Sequence, residues 1–400
     1  MILTKLWESP PWPGEIPNLQ DNVMDYAVLK FIWWVLIGVL MIGFAIMDGY
    51  DLGTANLLPF MSKNNEERRI MINAVAPHWD GNQVWFITAG GALFAAWPLV
   101  YGTAFSGFYW AMLLVLFALM GRPLAFEYRA KVSPKYQKIC DTALFFSGIV
   151  PSLVFGVAFG NLFQGFGFDL DYTMRSTFTQ GFFSLLNPFA LLCGLVSVAM
   201  LTMQGASWQN MRSGAPIQKR AAKTAKLFAL ITIATFALAG LWVSNLPGFE
   251  VVGNIDISGA ANPLNKTVEV AGPGVWLANY SRYPLMILAP AMGFLGAIGV
   301  FFLAGKSNQG LTFFCSSATQ AGVIMTAGFS LFPFVMPSSL NPNVSLTLWD
   351  SVSSELTLDI MTVVAAIYVP LIIGYTTWCV YKMWGRMTAQ HLQKNSHSLY

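Results

Sequence analysis

The stretch LKFIWWVLIGVLMIGFAIMDGYDLG, residues 29–53, decides the fold. It contains no charged residue between Lys30 and Asp48, and a helix needs about 20 mostly apolar residues to cross about 30 Å of hydrocarbon. The whole chain has the same character, since 55% of its 400 residues are hydrophobic and 10% are charged. Soluble proteins carry roughly 25% charged residues. The sequence therefore predicts an integral membrane protein.

Eight further segments resemble the first in length and apolar character. The nine predicted spans are 27–47, 83–100, 103–121, 143–163, 188–207, 225–245, 284–304, 311–334 and 360–381. We expect an all-α fold of about nine transmembrane helices, arranged as two four-helix bundles plus one peripheral helix. This polytopic domain should cover residues 24–386 and end in a cytoplasmic tail, 387–400.

Residues 1–23 precede the first span. They lack the basic start, apolar core and small-residue cleavage site of a signal peptide, and their prolines favour a flexible extension. Met24 follows them, so the stretch is either a native extension or an upstream start. We assign it no function.

The basic residues lie mainly in the loops after predicted helices 1, 3 and 5, which hold Lys63, Arg68 and Arg69, then Arg122 to Lys138, then Arg212 to Lys226. Short cytoplasmic loops are enriched in Lys and Arg. These loops should therefore be cytoplasmic, which places the N-terminus in the periplasm and the C-terminus in the cytoplasm. Charges confined to loops do not form a surface that follows phosphates, so no nucleic acid is expected as a partner.

Acidic residues within or beside a span are informative because they are costly in a membrane. Asp48 and Asp51 lie three residues apart in MDGYDLG and thus on one helical face. Two interpretations fit this pair. It is either a protonatable pair that lines a polar path, or a carboxylate pair that caps or bridges the cytoplasmic end of helix 1.

The densest polar motif is PHWDGNQVW, residues 77–85, at the start of predicted helix 2. It brings His78 and Asp80 together with amide side chains that can hold a carboxylate and a water chain. Proton transfer needs a group poised by burial toward neutral pKa, and Asp80 is the leading candidate for proton entry. Alternatively, Asp80 caps the helix and His78 is a satisfied interfacial residue. Arg122, at the inner end of helix 3, is a possible charge partner for the acidic cluster.

The number and spacing of the cysteines and histidines do not favour a metal or haem site. The four cysteines are far apart and form no CxxC pair, and the three histidines are His78, His391 and His397. A multi-haem membrane site needs axial His, Met or Cys in helices, and membrane methionines are mostly apolar filling. We expect no metal and no haem bound by this chain. Trp79 and Trp85 are either packing residues or the lining of an oxygen or quinone path.

Several stretches together resemble subunit II of the bacterial cytochrome bd oxidases. They are LKFIWW, GFAIMDGYDLG, ERRIMINAVAPHWDGNQVWFITAGGALFAAWPLVY, SGFYWAM, GVAFGNLFQG, NPLNK, LFPFVMPSS and the terminal HSLY. They occur in the family order from about residue 24 to residue 400.

The resemblance implies a heterodimeric quinol oxidase of the bacterial inner membrane that reduces dioxygen to water and takes its protons from the cytoplasm. Haems b and d would lie in the partner, subunit I, and this chain could hold a structural quinone. Small single-helix accessory subunits are further possible partners. By motif, Asp80 matches a proton-pathway aspartate, Trp85 a tryptophan near an oxygen path, and Asp48 and Asp51 the acidic pair of the first helix. The rival hypothesis, a transporter or proton channel working alone, predicts paired broken helices, which the sequence does not show.

Overall fold

The computed structural model describes residues 25–253 and 255–394. The predicted N-terminal extension, 1–23, lies outside the described residues. The helices are α1 Tyr26–Met61, α2 Asn65–Asn73, α3 Trp79–Ala96, α4 Pro98–Gly107, α5 Tyr109–Arg129, α6 Pro134–Gln164, α7 Pro188–Arg212, α8 Ile217–Val243, α9 Ala278–Arg282, α10 Leu288–Leu303, α11 Gln309–Leu331, α12 Glu355–Lys382 and α13 Ala389–Lys394. Three antiparallel strand pairs join them, β1 Phe168–Leu170 with β2 Ser176–Phe178, β3 Pro247–Val252 with β4 Thr267–Pro273, and β5 Phe334–Met336 with β6 Leu346–Thr347.

The predicted all-α membrane fold is confirmed. Each predicted span overlaps a long helix, and seven helical segments in the described ranges are long and apolar enough to cross a membrane: Tyr26–Met61, Tyr109–Arg129, Pro134–Gln164, Pro188–Arg212, Ile217–Val243, Pro284–Leu303 and Glu355–Lys382. Helices α3 and α11 are more polar. Helix α3 opens with Asp80, Asn82 and Gln83, and α11 buries Thr319 and Gln320, so these two depend on neighbouring helices for their polar groups.

The helices form two groups. In one, α3, α1, α6 and α5 contact one another in that order; in the other, α7, α8, α10 and α11 pack together. Contacts of α1 and α6 with α7 join the groups, whereas α12 packs along α1 and α3 and leaves most of its apolar side chains exposed. Helix α12 is thus the peripheral helix.

Two predicted boundaries were wrong. Helix α1 continues to Met61 rather than ending near residue 47, because residues 48–58 are buried against α6 and α7 instead of meeting water. The span predicted at 103–121 lies on two helices, since α4 ends at Gly107 and α5 begins at Tyr109, with Phe108 in a non-helical conformation between them.

The crossing of α1 and α7 is unusually close because both helices carry glycine there. A Cβ atom on Gly53 would lie 2.0 Å from the carbonyl oxygen of Leu201, and one on Gly205 would lie 2.3 Å from the carbonyl carbon of Gly53. Real Cβ contacts are never that short, so the helices would have to separate. The crossing fixes the polar residues of both helices relative to each other.

We expect Gly53→Ala to lower the stability of the protein by about 1–3 kcal/mol, the usual cost of overpacking a core. Gly38→Ala on the same helix is the matched control, because a Cβ there meets nothing within 4 Å. Thermal unfolding of the detergent-solubilised complex measures both variants. Equal melting temperatures for the two would contradict the close crossing.

Candidate functional site

The two aspartates of α1 are buried within the helical body. Asp48 and Asp51 are 1% and 3% exposed, and because α1 continues for ten residues beyond Asp51, neither lies at the helix end. The pair therefore does not cap helix 1, whereas the alternative of a bridging carboxylate agrees with the ion pair of Asp48. Both carboxylates instead reach neighbouring helices.

Asp48 forms an ion pair with Arg122 of α5. Its Oδ1 accepts from Nη1 of Arg122 at 2.5 Å, and its Oδ2 lies 3.4 Å from Nη2. The Arg122 side chain is 2% exposed. A charge pair shielded from water on both sides is stable only while both partners are present, so Arg122 compensates the cost of burying Asp48.

Asp51 has a different environment. Its Oδ2 accepts from Nδ2 of Asn82 on α3 at 2.9 Å, and the same amide nitrogen lies 2.6 Å from the Tyr50 hydroxyl. Its Oδ1 is buried and has no hydrogen-bond partner among the described residues. Asp51 also belongs to none of the ion pairs found there. A proton or a water molecule can therefore satisfy this oxygen.

The motif 77–85 forms the turn into α3. His78 occupies the N-cap position without a side-chain capping bond, and Asp80 lies in the first turn. The interpretation of Asp80 as the helix cap is therefore wrong. Asp80 is also exposed, not buried as a poised proton carrier was expected to be, because the first turn of α3 lies at the surface. Two residues later Asn82 points inward to Asp51.

His78 is buried, and its ring packs edge-on to Trp208 of α7 at 6.5 Å. Burial, with Arg212 as a second cause, lowers the pKa of His78 to about 4. The imidazole is therefore neutral near pH 7. Its Nε2 has no hydrogen-bond partner among the described residues.

The inner half of α7 completes the site, and the sequence reasoning did not identify it. Trp208 stacks on Tyr50 with ring centroids 4.0 Å apart and planes 8° apart, and its Nε1 donates to the Ala74 carbonyl at 2.9 Å. Gln204 donates to the carbonyl of Ile46 and to Ser317. The available signal was the polar run MQGASWQNMR, residues 203–212, at the end of an apolar span.

A large, partly open cavity of about 1570 Å³ borders the site, with Asp80 and Gln83 at its polar edge and mainly apolar side chains elsewhere. Trp79 lines this cavity and stacks on Phe126 at 5.3 Å. Trp85 packs instead against Gly43 of α1, where its ring occupies the space of a Cβ. The two tryptophans therefore have different surroundings.

No group of three His, Cys, Asp or Glu side chains among the described residues is arranged to hold a metal ion. His78 is the one histidine within the predicted membrane domain, 24–386.

The model of the family described as cytochrome bd terminal oxidase subunit II matches residues 29–383. This chain belongs to that family. The match includes Asp48, Asp51, His78, Asp80 and Arg122. Family membership decides against a transporter or proton channel that works alone.

Close relatives agree over nearly the whole chain. Cytochrome bd-I ubiquinol oxidase subunit 2 of Escherichia coli K12 is 50% identical over 380 residues, which is 94% of this chain and 100% of the relative. A probable cytochrome oxidase subunit 2 of Haemophilus influenzae is 49% identical, with coverage of 94% and 100%. Cytochrome bd ubiquinol oxidase subunit 2 of Bacillus subtilis is 32% identical, with coverage of 89% and 96%. The chain is thus a homologue of a subunit of a quinol:oxygen oxidoreductase.

The fold also matches a solved structure, that of bd oxidase from Geobacillus thermodenitrificans. The TM-score is 0.64 at 14% identity, and the match covers 89% of this chain and 98% of that one. At this identity the likeness concerns the fold alone. Together with the apolar helices, the family places this chain in the inner membrane as a multi-pass protein.

Proposed function

We propose that this chain is the haem-free subunit II of a heterodimeric bd-type oxidase that oxidises quinol and reduces dioxygen to water. It supports assembly of a haem-bearing subunit I and supplies protons from the cytoplasm, so that the complex contributes to the proton motive force without pumping. The names of its relatives support the oxidase. Haems b and d belong to the partner in this proposal, because His78 is the single histidine of the membrane domain and His391 follows the last spanning helix.

The proposed role in proton transfer rests on the Oδ1 atom of Asp51. This carboxylate is buried and held by Asn82, yet one of its oxygens has no partner among the described residues. Asp80 lies at the surface two residues before Asn82 and collects protons from water. Waters must connect Asp80 to Asp51, since no direct contact joins them, and water-mediated bonds are suited to that task.

The remaining members of the site have supporting roles. Arg122 engages both oxygens of Asp48, so Asp48 fixes the position of α5 and exchanges protons less readily than Asp51. His78, neutral near pH 7, passes a proton only if its two ring nitrogens are both connected. Tyr50 and Trp208 hold the amide of Asn82 in place through the Tyr50 hydroxyl.

Orientation follows from charge. The basic groups of α2, the α5–α6 turn and the start of α8 lie at one end of the molecule, where Asp141 pairs with Arg68 and Arg129, and Glu67 pairs with Arg220. The positive-inside tendency assigns this end to the cytoplasm. The C-terminus is then cytoplasmic, the N-terminus periplasmic, and Asp80 faces the proton source.

The large apolar cavity is suited to a structural quinone or to the passage of dioxygen. Its volume exceeds the 300–1,000 Å³ of ordinary ligand pockets, which accommodates an apolar chain beside Trp79. The exposed apolar faces of α3, α5 and α12 would bind subunit I and single-helix accessory subunits. Extraction of quinone from the purified complex tests the first of these assignments.

We expect Asp80→Asn to leave the complex assembled but to slow oxygen reduction, roughly tenfold or less. A positioned general acid or base contributes about 10²-fold or more, and water partly replaces a carboxylate that is exposed. Oxygen consumption with saturating quinol, together with proton uptake by vesicles, measures the change.

Glu66→Gln is the matched control for Asp80→Asn, because Glu66 is an exposed acid at the same end of the molecule. It should leave turnover unchanged. If Asp80→Asn also gives wild-type turnover in an intact complex, Asp80 is not part of the route. A subunit that purifies without any haem-bearing partner would contradict the heterodimer itself.

A further inference from the structure

A second pocket lies at the basic end of the molecule and shares no lining residue with the large apolar cavity. It has a volume of about 300 Å³ and is formed by the last turn of α7, the turn that precedes α11 and the segment that follows α12. Its charged lining residues are both arginines, Arg212 and Arg386. Neither belongs to an ion pair among the described residues.

Arg212 is 5% exposed and only partly hydrogen-bonded. Its Nη2 donates to the Met383 carbonyl at 2.9 Å, whereas Nε and Nη1 are buried without an acceptor among the described residues. The guanidinium carbon lies 5.5 Å from the Trp208 ring and 5.1 Å from the Trp384 ring. Buried donors of a charged group are costly when unpaired, so this side chain is prepared for an anion.

The start of α11 adds further donors. Asn308 caps the helix by accepting from the Leu311 N–H at 3.1 Å, and Gln309 and Gly310 of the first turn line the pocket. The first N–H groups of a helix have no partner within it, and the helix dipole makes this end positive. Arg386 donates from Nη2 to Gln309 at 3.1 Å and is otherwise exposed. A helix N-terminus and two guanidinium groups therefore converge on one small space.

We propose that this pocket binds a phosphate group, either the headgroup of an anionic phospholipid of the inner leaflet or a soluble phosphate. Guanidinium groups match phosphate oxygens in pairs, and a helix N-terminus supplies the complementary backbone N–H groups. The volume lies at the lower limit for a ligand pocket, which suits a headgroup with its acyl chains outside. Basic pockets between spanning helices on the cytoplasmic side are suited to such headgroups.

The bound phosphate would connect the ends of α7, α11 and α12, and so fasten the peripheral helix to the main body. The pocket includes none of the carboxylates of the proton route, although Arg212 contacts Trp208 beside that route. Binding of a phosphate group is therefore measured directly, and at Arg386, which lies outside the proton site.

Native mass spectrometry of the intact purified complex, in phosphate-free buffer, tests the proposal. The probes are dioleoylphosphatidylglycerol, dioleoylphosphatidylcholine and inorganic phosphate. The test variant is Arg386→Gln, because Arg386 is exposed and its loss should not prevent folding. Lys306→Gln is the matched control, since it removes one exposed positive charge from the same turn without lining the pocket. Arg386→Lys keeps the positive charge but lacks the planar guanidinium group, which binds phosphate oxygens in pairs.

We expect phosphatidylglycerol to bind in preference to phosphatidylcholine, and Arg386→Gln to weaken it about tenfold, which corresponds to about 1.4 kcal/mol. Lys306→Gln should bind as the wild type does, with Arg386→Lys between the two. If the lipid stays bound in millimolar phosphate, the ligand of the pocket is the lipid headgroup. If phosphate displaces the lipid, the ligand is the soluble anion. Equal binding of both lipids, or an equal effect of Arg386→Gln and Lys306→Gln, would overturn the proposal.

Discussion

Arg122→Gln is expected to cost about 3–5 kcal/mol of stability and to leave little intact complex in the membrane. Removing one partner of a buried ion pair leaves the other charge without compensation, and Asp48 is 1% exposed with Arg122 as its partner at 2.5 Å. A loss of this size is a large fraction of the roughly 5–15 kcal/mol by which folded proteins are stable. The haem content of isolated membranes and the melting temperature of the solubilised complex measure it.

Two further variants separate charge from shape at this position. Arg122→Lys keeps the positive charge but lacks the planar guanidinium group. It should retain part of the stability that Arg122→Gln loses. The double variant Asp48→Asn with Arg122→Gln removes both charges and should be more stable than Arg122→Gln alone. Lys131→Gln, at an exposed ion pair just after α5, should change little. Stability of Arg122→Gln equal to that of Lys131→Gln would contradict a structural role of the pair.

The sequence predicted the membrane fold and several residues of the site. It did not predict which neighbours those residues contact. Hydropathy identifies the spans because it reports which solvent a segment prefers, and this placed α1 and α12 in the chain, although not the end of α1. It does not report which neighbour a polar side chain meets. The three-residue spacing placed Asp48 and Asp51 together, yet one pairs with Arg122 and the other with Asn82.

The missed parts of the site have the same cause. Gln204 lies near the end of the predicted span 188–207, and Trp208 and Arg212 lie just after it. Their contacts form only because α7 continues to Arg212 and crosses α1 at Gly53. Asp80, the predicted proton-entry residue, is exposed, whereas Asn82 of the same motif is buried. The direction in which a side chain leaves the first turn of a helix depends on tertiary packing, which turned Asn82 inward and Asp80 outward.

Asp51→Asn is expected to leave the complex assembled and to reduce oxygen reduction about 10²-fold or more, the contribution of a positioned proton donor and acceptor. Asparagine has nearly the shape of aspartate, and its carbonyl oxygen can accept from Asn82 as Oδ2 does now. It cannot take up a proton. Haem content and melting temperature should therefore remain normal while oxygen consumption and proton uptake fall together.

The combination of Asp51→Asn with Asp80→Asn tests whether the two carboxylates lie on one route. Effects of residues that act in one unit are not additive, so the double variant should be no slower than Asp51→Asn alone. If the two losses multiply, the residues act separately, and Asp80 serves another step. If an intact Asp51→Asn complex reduces oxygen at the wild-type rate, Oδ1 of Asp51 has no role in proton transfer and protons enter by another path. Asp51→Glu, which keeps a carboxyl in a longer side chain, should regain part of the activity only if a proton passes through this position.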